Sequence, residues 1–137
     1  MREIDAVKPL RRILETCLYG DDLEAMETFY TRLLETEPLT SDPGHYVFYK
    51  LDGCMLLLFN PARCQDNEDI PPHGARGQGH MAFRVEEAEL PAWKTRLAEL
   101  GIPLEMDHLW DKGPHSLYFR DPAGNSLEIA PMSLWEQ

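Results

Sequence analysis

Apolar and polar positions follow the same pattern in two stretches of the chain, residues 13–39 and 78–104. Each stretch begins with alternating apolar and polar residues, which is typical of a half-buried strand, and continues into an amphipathic helix containing Thr-Arg-Leu. An acidic pair precedes each helix, so that Asp21 or Asp22 is expected to cap the first one, and a proline follows each helix end. This internal repeat predicts two modules of one architecture.

Three more extended segments follow each helix. In the first half they lie near residue 39, at 45–51 and at 54–59, and the turn Asp52-Gly53 joins the last two as a hairpin. In the second half they lie at 103–106, 116–120 and 125–130, with the turn Asp-Pro-Ala-Gly at 121–124. Residues 61–77, rich in proline, glycine and charge, are expected to form a linker.

The sequence therefore predicts one α+β domain over residues 1–137, with modules at about 11–60 and 78–131. Each module has the order βαβββ, and together they are expected to form a cup-shaped mixed sheet with the helices on its outer face. Strand alternation puts Glu15, His80, Tyr118 and Glu128 on the side away from the helices, inside the cup. A ligand is expected to bind there.

Composition narrows the classes of partner. A formal net charge of −11 disfavours nucleic acid and anionic membrane surfaces, and it suits a cationic ligand or a divalent metal, or serves solubility alone. No apolar run is long enough to span a membrane, and no secretory signal is recognisable at the N-terminus. Three cysteines without a CxxC pair indicate reduced thiols and a cytoplasmic location.

Glu15, His80 and Glu128 are the candidate metal ligands. Two carboxylates and one imidazole suit a divalent ion such as Mn²⁺, Fe²⁺, Ni²⁺, Zn²⁺ or Mg²⁺, and three protein ligands leave positions open for water or substrate. The alternative is that the two glutamates form ion pairs with Arg84 or Arg120, which are expected to face the same cup.

The chain resembles the vicinal oxygen chelate superfamily, which includes glyoxalase I, extradiol dioxygenases, and fosfomycin and bleomycin resistance proteins. The resemblance rests on LETCLYGDDLEAMETFYTRLL, GHMAFRV and above all SLYFRDPAGNSLEI, and it extends from residue 14 to about 131. It implies that the metal ligands come from the first strand of each module and from the final strand, where Glu15, His80 and Glu128 stand. It also implies a homodimer, whose site lies either within one chain or across two.

The sequence departs from this family pattern at two positions. Glu15 stands where histidine or glutamine is common, and Leu56 or Leu57 stands where glyoxalase I has a fourth, acidic ligand. There is also no clear equivalent of the potassium-binding loop of fosfomycin-modifying thiol transferases.

The resemblance implies a metal-dependent enzyme that chelates a small substrate through adjacent oxygens, with lyase, isomerase or dioxygenase chemistry and Glu15 or Glu128 as the base. The alternative is a metal-free protein of bleomycin-resistance type that sequesters its ligand. Tyr118 resembles a tyrosine that contacts ligand in related transferases, or else it is a core residue. The candidate substrate-binding residues are Cys17, Arg84, Trp110, His115, Ser116 and Arg120. His73 in the linker is a candidate for covering the cup.

Overall fold

Each half of the chain folds as a four-stranded sheet with one long helix packed on one side. The computed structural model describes residues 7–64 and 69–136. The elements are β1 (Glu15–Tyr19), α1 (Leu23–Leu34), β2 (Thr40–Asp42), β3 (Tyr46–Lys50), β4 (Met55–Phe59), α2 (Pro61–Cys64), β5 (His80–Arg84), α3 (Leu90–Glu99), β6 (Met106–Leu109), β7 (His115–Arg120) and β8 (Ser126–Ala130). Short 3₁₀ turns at Glu87–Glu89 and Met132–Trp135 complete the described part.

The two sheets have the same topology. Their strand orders are β1-β4-β3-β2 and β5-β8-β7-β6. In each sheet the opening strand pairs in parallel with the last strand, and the other pairings are antiparallel. The predicted repeat and the α+β class are therefore confirmed. The predicted single cup-shaped sheet takes the form of two separately hydrogen-bonded sheets in this chain.

The first helix shows how local sequence sets an element's ends. The carboxylate of Asp22 accepts a hydrogen bond from the Ala25 N–H at 3.1 Å, which caps the helix start, as expected for one of the two aspartates. The buried side chains recur at helical spacing: Leu23, Met26, Tyr30 and Leu33. The helix ends where Glu35 takes a left-handed conformation with φ of 52°.

One hydrophobic core joins the two modules. It contains the helix-facing side chains of both sheets, such as Leu18 and Leu58 from the first and Phe119 and Ile129 from the second, together with residues of α1 and α3. Strand alternation sends the other set of side chains to the opposite side of each sheet. We call these the open faces of the first and second sheets, because they lie away from the shared core.

The turn between β7 and β8 ties the modules together. Asp121 Oδ1 accepts hydrogen bonds from the N–H groups of Ala123 and Asn125, at 2.9 and 3.0 Å. Its Oδ2 accepts one from the Tyr30 hydroxyl at 2.7 Å, across the module boundary. Asn125 bonds to the backbone of Gly79 at 2.7 Å and of Tyr19 at 3.3 Å. This turn therefore holds the opening strands of both modules.

Most strand ends lie within a residue or two of the prediction, but β6 and the start of the linker differ from it more clearly. β6 is Met106–Leu109 rather than residues 103–106, because Pro103 has no N–H to donate and the bonding to β7 begins at Glu105, whose N–H donates to Tyr118 O at 2.7 Å. The predicted linker begins with the short helix α2, and Asn60 Oδ1 accepts a bond from the Ala62 N–H at its start.

No helix within 7–64 and 69–136 is long and apolar enough to cross a membrane.

Candidate metal site

A histidine and a buried carboxylate meet on the open face of the second sheet. His80 is the first residue of β5 and pairs with Ser126 of β8. Glu128 lies two residues after Ser126 and therefore on the same face of the sheet as His80. His80 Nε2 lies 3.3 Å from Glu128 Oε1. These two sequence-predicted ligands are therefore brought together by the register of β5 and β8.

The other nitrogen of His80 has a fixed role. Nδ1 lies 2.9 Å from the carbonyl oxygen of Ser126, which can only accept, so Nδ1 carries a proton and donates it. In the neutral ring, Nε2 then presents its lone pair to the Glu128 carboxylate. Two acceptors at this distance need a proton or a metal cation between them. Histidines that bind metals commonly have such a backbone partner on their second nitrogen.

Glu128 is 7% exposed, and burying a carboxylate is costly without a cationic partner. In the described part of the chain, the half-exposed His80 is the basic side chain within salt-bridge distance of it. Arg120, the alternative partner, donates instead to Glu105 at 2.8 and 3.1 Å. The carboxylate oxygens of Glu128 can therefore accept a further hydrogen bond or bind a cation on the open face.

Tyr118 lies directly opposite Glu128 in the register of β7 and β8. Burial and the negative charge of Glu128 raise the pKa of the Tyr118 hydroxyl, and hydrogen bonding to Ser116 opposes the shift. A hydrogen bond to Glu128 raises the pKa further, so the phenol is protonated at neutral pH and acts as a donor toward the carboxylate.

Glu15, the third predicted ligand, lies apart from this pair. It is exposed at the start of β1, on the open face of the first sheet, opposite Met55. Over residues 7–64 and 69–136, no group of three or more His, Cys, Asp or Glu side chains is arranged to hold a metal ion. The structure therefore brings together two of the three predicted ligands within one chain.

The open face of the first sheet is largely apolar. Tyr19, Tyr46, Phe48 and Phe59 form a chain of ring contacts with centroid distances from 4.3 to 6.5 Å. His73 from the linker packs on this cluster, and its Nδ1 lies 2.7 Å from the Tyr19 hydroxyl. The linker thus covers part of the first sheet's open face.

Cys17 lies on the same face, half-buried beside these rings. Burial, followed by the negative charge of Glu15, raises the pKa of the Cys17 thiol. A thiol held in its protonated form is a weak nucleophile, so its position suits contact with a ligand better than attack on one.

The remaining predicted site residues divide between the two sides of the second sheet. Ser116 is fully buried on the Glu128 side, and its Oγ accepts a bond from Trp110 Nε1 at 2.9 Å. His115 has the opposite orientation and lies 2.7 Å from Asp107, which also bonds Lys94 of α3. The structure therefore places Trp110 and Ser116 beside the site and His115 away from it.

A cavity of about 270 Å³ adjoins the His80–Glu128 pair. Its lining includes three of the predicted site residues, His80, Arg84 and Glu128. It also includes Met132, Leu134 and Trp135, which follow the last strand and were not predicted. Trp135 is 81% exposed although it is a large aromatic residue. An apolar MSLW segment directly after a ligand-bearing strand was the signal that could have revealed this wall.

Paired βαβββ modules with a histidine and a carboxylate on one open face define the class of fold and site. The family described as Glyoxalase/Bleomycin resistance protein/Dioxygenase superfamily matches residues 12–129. The chain belongs to this superfamily, and the resemblance drawn from the sequence motifs is confirmed.

Individual relatives carry two different names. A crystal structure of lactoylglutathione lyase from Agrobacterium tumefaciens is 46% identical, with a TM-score of 0.88, and the match covers 93% of this chain and 98% of that one. Metallothiol transferase FosB from Shouchella clausii is 30% identical over 119 residues, covering 85% of this chain and 77% of the relative. FosB from Bacillus licheniformis is 26% identical over 117 residues, covering 85% and 72%.

Proposed function

We propose that the protein is a metal-dependent enzyme that binds a small molecule through adjacent oxygen atoms. The observation that carries the proposal is the pairing of His80 Nε2 with the buried Glu128 carboxylate, because the bond from His80 Nδ1 to Ser126 O presents the Nε2 lone pair to the same point. This donor set fits a divalent cation with nitrogen and oxygen ligands.

The third ligand in this proposal is Glu15 of a second copy. The open faces that carry Glu15 and His80 both lie away from the shared core. A homodimer in which the first sheet of one copy faces the second sheet of the other would bring these groups together. The exposed apolar side chains beside β1, Ile13 at 75% and Leu14 at 73%, support an interface at this edge.

When bound there, a divalent ion would supply Lewis acidity toward substrate oxygens. Tyr118 is placed to donate a hydrogen bond to a substrate oxygen that gains negative charge, since its raised pKa keeps it protonated. Glu128 or Glu15 is the candidate base. The aromatic open face of the first sheet would form the opposite wall and exclude water from a bound ligand.

The names of the relatives support an enzyme of this general kind. One relative is named a lyase, and two are named metallothiol transferases. We infer lyase, isomerase, dioxygenase or transferase chemistry as the range to be tested. The three free cysteines support a reducing, cytoplasmic location.

The second candidate is a metal-free protein that sequesters its ligand. The specific observation in its favour is the aromatic cluster on the first sheet, which offers stacking surfaces to a flat or cationic compound. In that function, the His80–Glu128 pair would hold a proton instead of a metal.

The primary test is metal content per chain. The wild type, Glu128→Gln and the control Glu99→Gln, which changes an exposed carboxylate on α3, are reconstituted with Mn²⁺, Fe²⁺, Ni²⁺ or Zn²⁺ and measured by elemental analysis. We expect about one ion per chain in the wild type and the control, and loss in Glu128→Gln. Wild type that takes up none of the four ions would contradict the enzyme proposal and favour sequestration.

A mixing experiment tests the contribution of the second copy. Glu15→Gln and Glu128→Gln are co-expressed with different tags, and the mixed dimer is isolated. If the site spans two chains, this dimer has one intact site and binds one ion, whereas neither parent dimer binds any. A mixed dimer without metal, beside a metal-loaded wild-type dimer, would place all three ligands within one chain.

A further inference from the structure

The rows of residues on the second sheet's open face define a trough. Because Ala82 pairs with Glu128 and Arg84 pairs with Ala130, small side chains lie between the His80–Glu128 pair and the far end of β5. The buried Ser116 continues the row that contains Arg84 and Ala130. Met132, Leu134 and Trp135 form the rim of the cavity on this side.

Arg84 stands at the end of this trough as an uncompensated cation. It is exposed and lines the same cavity as His80 and Glu128. The other arginine on this face, Arg120, is ion-paired with Glu105. Within the described ranges, no carboxylate lies within salt-bridge distance of Arg84, although the chain has 24 acidic residues and 13 basic ones. A free guanidinium in such an acidic chain is a ready partner for an anionic ligand.

From this arrangement we infer that the substrate carries a carboxylate or another anionic group, which Arg84 binds at a distance from the chelating oxygens. The inference rests on the proposed metal site and adds a substrate class to it. His80 and Arg84 are four residues apart on one strand, which separates their Cα atoms by about 13 Å. The ligand is therefore elongated, with its chelating end at His80 and Glu128 and its anionic end at Arg84.

The chemistry of arginine favours this function. Its guanidinium donates two parallel hydrogen bonds to a carboxylate or phosphate, and these charge-assisted bonds are stronger than neutral ones. Ala82 and Ala130 leave room for the connecting part of the ligand, while Met132 and Trp135 offer it apolar contact. The trough thus selects for a charged tail on an apolar spacer.

The test uses Mn²⁺-loaded protein and a series of 2-oxoacids that end in a second carboxylate, with spacers of increasing methylene length. Each probe is compared with its terminal methyl ester, and a terminal phosphonate series distinguishes phosphate-like from carboxylate ligands. Affinities are measured by calorimetry at constant ionic strength, on wild type, Arg84→Gln and Arg84→Lys. The control is Arg96→Gln, which removes a cation of α3 that is paired with Glu35.

We expect the charged tail to improve affinity by about tenfold or more over the ester at an intermediate spacer length in wild type and Arg96→Gln. Arg84→Gln should bind each charged probe and its methyl ester with equal affinity. Arg84→Lys should retain part of the preference for the charged probe. Equal affinity for tail and ester in the wild type at every length would overturn the inference while leaving the metal site intact.

A separate measurement keeps this inference distinct from the proposed metal function. The Arg84 side-chain N–H signal is followed by NMR while glutarate or its dimethyl ester is added to metal-free protein. A shift with the dianion and none with the ester supports the anion site even if the protein binds no metal. The same Arg84 shift with glutarate and with its dimethyl ester, or no shift with either, would refute the anion site whether or not the protein binds a metal.

Discussion

The hydrogen bond from Tyr30 to Asp121 is a buried link between the two modules, and its removal provides a direct test of how they are held together. Tyr30 is fully buried, and its hydroxyl lies 2.7 Å from Asp121 Oδ2. Tyr30→Phe removes only this hydroxyl and leaves the ring packed against Phe29 and Tyr49. Asp121 keeps its bonds from the N–H groups of Ala123 and Asn125.

The magnitude follows from the charge of the acceptor. Hydrogen bonds to charged groups contribute about 1.5–3 kcal/mol, whereas neutral ones contribute about 0.5–1.5 kcal/mol. Tyr49 provides the matched comparison, because it is also fully buried but bonds the Thr31 hydroxyl at 2.8 Å and the Glu27 carbonyl at 3.1 Å. We therefore expect Tyr30→Phe to lower the free energy of unfolding by about 1.5–3 kcal/mol through the loss of one bond, a loss comparable to that of the two neutral bonds removed by Tyr49→Phe.

The assay is equilibrium unfolding in urea, with all proteins at one concentration because the stability of any protein that associates depends on concentration. A circular dichroism signal follows the helices, and the slope with denaturant checks that the unfolded states are comparable. If Tyr30→Phe lowers the free energy of unfolding by clearly less than about 1.5 kcal/mol, the bond to Asp121 contributes no more than a single neutral bond, which would refute an electrostatic link between the modules.

Two further predictions concern close packing and alkaline pH. Gly79→Ala would place a methyl group 3.1 Å from Asn125 Oδ1 and 3.3 Å from a methyl of Leu18. We therefore expect urea unfolding to show a free energy of unfolding lower by about 1–3 kcal/mol. A variant as stable as the wild type would show that the neighbouring side chains move aside without cost. Burial raises the pKa of Tyr19 to about 12, above its ordinary value of 10.0. Because this favours the neutral phenol in the folded state, its contribution to stability should be complete below pH 10 and lost between pH 10 and 12. The free energy of unfolding is measured from pH 10 to 12 in the wild type and in Tyr19→Phe. A steeper fall in the wild type than in Tyr19→Phe would support the raised pKa of Tyr19, and an equal fall in both would contradict it.

Much of the fold could be predicted from local patterns. The repeated apolar alternation identified both opening strands, and the Asp-Gly and Asp-Pro-Ala-Gly turns placed both hairpins, with Gly53 and Gly124 at φ of 79° and 88° as such turns require. β6 was misplaced because Ile102 and Leu104 alternate like strand residues, while Ile102 in fact belongs to the core. The short helix α2 was missed although Asn60 followed by proline is a helix-start signal.

The candidate site was predictable only in part. The face that carries His80, Tyr118 and Glu128 followed from strand alternation, which depends on local sequence alone. The separation of Glu15 from His80 could not follow in this way, since it depends on how two modules pack through one core. The wall formed by Met132 and Trp135 depends likewise on where the chain turns after β8.

The turn at residues 121–125 has a consequence for how relatives of this chain are recognised. Its aspartate and asparagine bond to the turn's own backbone and to the neighbouring module, and neither is a member of the His80–Glu128 pair. Selection for folding alone would preserve Asp-Pro-Ala-Gly-Asn in a descendant that had exchanged its ligands and its reaction. The most recognisable stretch of the sequence thus identifies relatives that share the fold. Whether a relative also shares the chemistry depends on the residues at the strand positions on either side of the turn.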